Sequence, residues 1–199
     1  LDATVVTGTA GKLEFKQGGT SSGTIDARNA TFKLGADYAV DGTLITSSGT
    51  TWELGVAQTP SKLDLSGGLL LLGGNVVLDN VNTDNQTKFE LTEDATVTRN
   101  AGFKLGGLKF GNKTFTLGSA TTDLTLVDNS SNSGGSNTGS PPGTFATKTA
   151  DFTFISANAV DITTGTTITS TGGKFSFAGG IKINGAAISL QDTTLAVGS

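Results

Sequence analysis

The chain contains neither cysteine nor histidine. Without thiols there is no disulfide framework and no thiolate chemistry, and the redox compartment cannot be read from cysteine usage. Without imidazole, Ser-His-Asp and Cys-His arrangements cannot be assembled, and the common histidine metal sites are excluded too. Methionine is missing even from position 1, so residue 1 reads as the start of a processed chain or of an excised domain. Charge is scarce: charged residues make up 15% of the 199 positions, with 13 Lys and Arg against 17 Asp and Glu, for a formal net charge of −4. The basic residues are scattered singly, and nucleic-acid binding needs them clustered. Long apolar runs are also lacking. The longest, around Leu69 to Leu78, is broken by Gly73, Gly74 and Asn75 and is too short to span a bilayer.

What replaces these residues is Thr, Ser, Asn and 29 Gly, with a hydrophobic share of only 35%. The apolar residues are nonetheless regular. An apolar pair separated by one residue occurs at Leu13/Phe15, Phe32/Leu34, Trp52/Leu54, Leu70/Leu72, Phe89/Leu91 and Leu108/Phe110. The step from each pair to the next is nearly constant, at about 19 residues. A second series, half a period out of phase, runs through Val5, Ile25, Leu44, Leu63, Val76 to Leu78, Val97 and Phe115. Alternation within each segment puts neighbouring side chains on opposite faces of an extended strand, and helical spacing is absent. Glycines, often beside Asn, Asp or Ser, separate the segments and accept the backbone angles of tight corners. A unit this small cannot bury its own apolar side and must stack on the next copy.

These features predict an all-β chain: a parallel β-solenoid with coils of about 19 residues and two short strands per coil. Stacked at about 4.8 Å, Leu13, Phe32, Trp52, Leu70, Phe89 and Leu108 form one inner column. The residues between form an outer one, Glu14, Lys33, Glu53, Leu71, Glu90, Lys109, in which adjacent charges are opposite. Such a ladder sets register, since exposed pairs contribute at most about 1 kcal/mol each.

About seven coils fill residues 1–127. Residues 128–143 read as a flexible Ser/Gly/Asn/Pro loop without apolar residues. In 144–199 the rhythm shortens, and the steps from Phe152 to Ile168, Ile181 and Leu195 fall to roughly 13 to 16 residues. That predicts a shorter-period β segment that continues or caps the solenoid. The alternative architecture is a β-sandwich fibre subunit, pilin-like, that donates residues 1–10 as a strand to its neighbour.

Three constellations carry candidate chemistry. Asp26 and Asp64 fall on equivalent outward positions two coils apart, near the separation of a paired-carboxylate glycosidase, but nothing beside either is suited to raising a carboxyl pKa. Asp79, Asn80, Asn82, Asp84 and Asn85 crowd one loop with oxygen ligands. Of these, Asp79, Asn82 and Asp84 are the candidate calcium ligands, although the mid-loop Gly and terminal Glu of a helix-loop-helix site are missing. Thr-x-Thr recurs at Thr96/Thr98, Thr114/Thr116, Thr147/Thr149 and Thr167/Thr169, as in the flat ladders of ice-binding solenoids. The outward column Asp26, Ile45, Asp64, Val77 is no such ladder, so these pairs read as ordinary strand surface. Glycosylation acceptor patterns occur at Asn29, Asn85, Asn112 and Asn129, with Asn129 favoured by its loop.

The segments 42–55 (GTLITSSGTTWELG) and 113–126 (KTFTLGSATTDLTL) resemble the passenger regions of bacterial autotransporters and filamentous-haemagglutinin-like adhesins, a similarity of style over about residues 1–127. It implies a secreted, cell-surface β-helix, whereas the translocator barrel and N-terminal targeting domain usual in such proteins are not visible in this sequence. A solenoid has two open ends, and neither the Leu1–Val6 start nor the Thr194–Val197 end reads as a polar cap. Head-to-tail association through Asp2, Thr4, Val6, Thr194 and Ala196 is therefore expected. The functional expectation is a non-catalytic, extracellular, self-assembling filament or surface-adhesin subunit without cofactor, whose partners are itself and surface glycans or receptors on a host or neighbouring cell. A polysaccharide-binding or polysaccharide-cleaving β-helix is the alternative, and it would show aromatic side chains on an outward strip.

Overall fold

Alternating apolar residues favour strands, and strands with one apolar side are stable only when stacked. In the computed structural model every strand pair is parallel, and about eight turns of roughly 20 residues wind into a β-solenoid. The structure describes residues 5, 6, 10–54, 61–110, 112–119, 121–127, 143–147, 149–155, 160–163 and 166–198. The described residues form 24 strands, numbered in chain order, and contain no antiparallel ladder, so the sandwich alternative is not what they form.

A full turn has three strands where the sequence predicts two. The first position is held by β1 (Val5–Val6), β4 (Thr24–Asp26), β7 (Thr43–Ile45), the first halves of β10 (Leu69–Val77) and β12 (Lys88–Thr98), and β14 (Gly107–Lys109). The second is held in the first three turns by β2 (Lys12–Phe15), β5 (Thr31–Leu34) and β8 (Thr51–Leu54). In later turns it is held by the second halves of β10 and β12, then β15 (Thr114–Leu117), β17 (Gly143–Thr147), β20 (Thr166–Ser170) and β23 (Ala187–Leu190). The third position is held first by β3 (Gly19–Ser21), β6 (Tyr38–Val40), β9 (Leu63–Asp64) and β11 (Val81–Asn82). It then passes to β13 (Phe103–Leu105), β16 (Leu124–Val127), β18 (Phe152–Ile155), β21 (Lys174–Phe177) and β24 (Thr194–Val197). β19 (Val160–Thr163) pairs with β22 (Ile181–Asn184).

The third strand corrects the columns. Leu13, Phe32 and Trp52 do stack, but Leu70 stacks on Leu44, and carries Phe89 and then Leu108 above it. Leu63 lies in the third position, between Tyr38 and Val81. The step from Trp52 to Leu70 thus matches the period by coincidence: one long turn shifts the phase by a face. The outer ladder splits in the same way. Lys33 Nζ lies 3.9 Å from Glu14 Oε1 and 3.6 Å from Glu53 Oε2, and Lys109 Nζ lies 3.4 Å from Glu90 Oε2, while Leu71 sits between Ile45 and Glu90.

The strands after residue 143 pair with those before residue 128, so the same sheets continue. Their period does not shorten. Phe145, Ile168 and Ile188 stack in one column and Phe152, Phe175 and Leu195 in another, each step being as long as an ordinary turn or longer. The shorter intervals of the sequence count steps between different faces. The core is one continuous cluster of buried Phe, Leu, Ile and Val, in which Phe145 meets Phe115, Phe152 and Phe175 at ring-centroid distances of 5.9, 4.8 and 5.9 Å.

Candidate functional site

Where the turns meet at corners, sheet pairing lapses and side chains take over the backbone donors. Five aspartates each accept an N–H from the following turn: Asp37 from Lys62 at 2.8 Å, Asp79 from Asn100 at 2.8 Å, Asp94 from Thr114 at 2.8 Å, Asp123 from Asp151 at 3.0 Å and Asp151 from Lys174 at 2.8 Å. Sequence reasoning missed this role. Its signal is an aspartate directly before an alternating strand, as in Asp37-Tyr-Ala-Val, Asp123-Leu-Thr-Leu and Asp151-Phe-Thr-Phe.

The same chemistry explains the calcium candidates. Asp84 Oδ1 accepts N–H groups from Gln86 and Thr87 at 2.9 Å and from Gly67 of the preceding turn at 3.1 Å. Burial pushes the Asp84 carboxyl upward, and these N–H donors with the Thr87 hydroxyl outweigh it, so its pKa is lowered. Asp79 spends both carboxylate oxygens on Asn100, and Asn82 is exposed on β11 beside Asp64. Among the described residues no group of three or more acidic, His or Cys side chains could hold a metal ion.

Asp26 and Asp64 do not share a column. Asp26 is in register with Ile45 at the first position and Asp64 with Ala39 at the third, because the long turn moved Leu63 and its neighbours to another face. Asp26 is buried and bound by Arg28, whose Nε lies 3.0 Å from Oδ1. That bond lowers its carboxyl pKa, the opposite of a general acid. Asp64 accepts the Ser66 N–H at 3.0 Å. Among the described residues no aromatic strip faces outward: Phe32, Phe89, Phe115 and Phe175 are fully buried, and Trp52 packs edge-on against Phe32.

The end of the described chain differs from this well-paired flank. On β22 and β24, Ile183, Leu195 and Val197 are 52%, 47% and 50% exposed. Their register partners Ile162, Phe175 and Phe177 are buried. In-register parallel neighbours share a face, so these three residues continue the inner columns and are exposed because no described turn covers them. Of the expected assembly residues, Thr194 and Ala196 lie in the outward phase, opposite Lys174 and Ser176. Val6 pairs with Asp26 in β1. Asp2, Thr4 and Asn129 lie outside the described residues. Of the other acceptor asparagines, Asn112 is an exposed corner residue with φ of 62°, and Asn29, with φ of 53°, lies 3.2 Å from the Ser47 hydroxyl.

No helix among the described residues is long and apolar enough to cross a membrane, which leaves strand-built barrels unaddressed. Comparison with family models, curated protein sequences and solved structures finds no match to this chain.

Proposed function

We propose that this chain is a non-catalytic structural subunit of an extracellular filament or surface adhesin, akin to the passengers of autotransporters and haemagglutinin-like adhesins, and that it associates end on end. The supporting observation is the uncovered inner column at Ile183, Leu195 and Val197. Apolar side chains left uncovered at the end of a stack suit an association site, and beside them the strands of the last described turn offer backbone donors and acceptors to a further strand layer. The candidate carboxylates lend catalysis no support: Asp26 is bound by Arg28, and Asp64, Asp79 and Asp84 accept backbone N–H groups. The Thr-, Gly- and Asn-rich composition suits an extracellular repeat protein.

Sedimentation of the purified chain over a concentration series tests this reading. The expected result is growing head-to-tail oligomers, reduced to a monomer in a Leu195→Asp, Val197→Asp variant with an unchanged far-ultraviolet circular dichroism spectrum. A wild-type chain that stays monomeric at the highest attainable concentration contradicts it.

A further inference from the structure

The register of the second position brings together threonines that lie far apart in sequence. Thr114, Thr144 and Thr167 stack in one outward column. In the column beside it Thr96, Thr116 and Thr169 stack with Ala146 between the last two, and Ser189 follows. Sequence alone makes the Thr-x-Thr pairs, Thr147/Thr149 among them, an ordinary strand surface, because the outward column it traces runs through Asp26, Ile45, Asp64 and Val77. Thr147 in fact points inward and lies 2.8 Å from the buried Ser170 hydroxyl, while Thr144 fills the surface place.

Four properties distinguish this array. It is two-dimensional, with about 4.8 Å between turns and about 6.6 Å between columns along each strand. Its registers contain no bulge from β12 to β23. From β15 to β23 neither column carries a charged residue, Asp94 of β12 marking the lower edge of the first column with its carboxylate on the Thr114 N–H, and the threonine hydroxyls make no hydrogen bond to other groups among the described residues. Directly behind it Phe115, Phe145 and Ile168 are buried in the core, with Phe115 and Phe145 stacked at a ring-centroid distance of 5.9 Å. Threonine adds a stiff, β-branched side chain, so methyl and hydroxyl groups repeat on a fixed grid at little entropic cost.

A grid of unbonded hydroxyls and methyls without charge or aromatic rings offers little to a protein or a glycan, which are recognised by ionic groups and ring stacking. It suits a partner that is itself a lattice of water. The repeats of the grid lie close to the in-plane repeats of hexagonal ice, one slightly longer and one slightly shorter. We propose that the outward threonine face of β15, β17 and β20, extended by Thr96, binds ice. This inference stands apart from end-on association, since it uses the flank and not the end.

The test is ice recrystallisation and crystal shaping by the wild-type chain, by Thr116→Lys and Thr167→Lys, by the milder Thr116→Asn, and by a control, Thr153→Lys, in the outward column of the third position. Circular dichroism checks that each variant is folded. The expected result is inhibition by wild type and control, lost in both lysine variants and weakened in Thr116→Asn. Three results overturn the proposal: no effect of the wild type on ice growth, equal activity in array and control variants, or array variants that lose binding to a soluble polysaccharide while ice growth is untouched.

Discussion

Phe145 touches four other rings, Phe110, Phe115, Phe152 and Phe175, and so joins three successive turns. Phe145→Ala removes all four contacts and leaves a cavity, with an expected loss of about 3–5 kcal/mol, read as a lower midpoint in urea unfolding. The corner aspartates act differently. Asp151→Ala leaves the Lys174 N–H to water and should cost about 1 kcal/mol, whereas Asp151→Asn keeps an acceptor oxygen and should cost less. Denaturation of the pair separates hydrogen bonding from charge. Asp26 and Asp84 both have carboxyl pKa values held below the ordinary 3.8, Asp26 chiefly by its bond to Arg28. A depressed folded-state value stabilises the fold above the unfolded value and the contribution disappears as pH falls through the folded one. Thermal stability should therefore be flat near neutrality and fall below about pH 4, with a smaller fall in Asp84→Asn.

At the scale of the strand, alternation and the even spacing of the apolar pairs are enough to reveal parallel stacking, because both follow from one apolar side per strand. The third strand is not legible. β9 and β11 are two residues long and carry too few side chains for a period, and β10 and β12 run through a corner without a break. The long turn between Leu44 and its register partner Leu70 then makes a neighbouring face look like the expected one, which misplaces Asp64, Leu71 and the threonine columns together. Corners themselves follow backbone geometry. A Cβ on Gly42 would collide with the backbone oxygens of Ser22 and Gly23 in the turn below, whereas one on Gly67, at φ of +77°, would have nothing within 4 Å. Gly67→Ala should cost only its backbone strain, about 1–2 kcal/mol. Gly42→Ala must separate two turns and should cost more, which paired unfolding curves would show.

The described turns form a row in which each strand pairs only with strands of adjacent turns, so stability is close to a sum of interfaces and the last described turn lacks one of them. Hydrogen exchange should accordingly be fastest in β22 to β24 and slowest around β15 and β17, and association should slow exchange at β22 to β24 first. Both the end-on reading and the threonine array depend on the turns being parallel and in register across the stretch from β16 to β18. That dependence is open to a direct test because the chain has no cysteine of its own. Thr125 and Thr153 are distant in sequence but register partners in adjacent turns, and both are outward. Nitroxide labels on Thr125→Cys and Thr153→Cys should lie one strand spacing apart, about 5 Å between backbones, and broaden each other's spectrum strongly. Sharp, unbroadened lines in the folded, doubly labelled chain would contradict the stack.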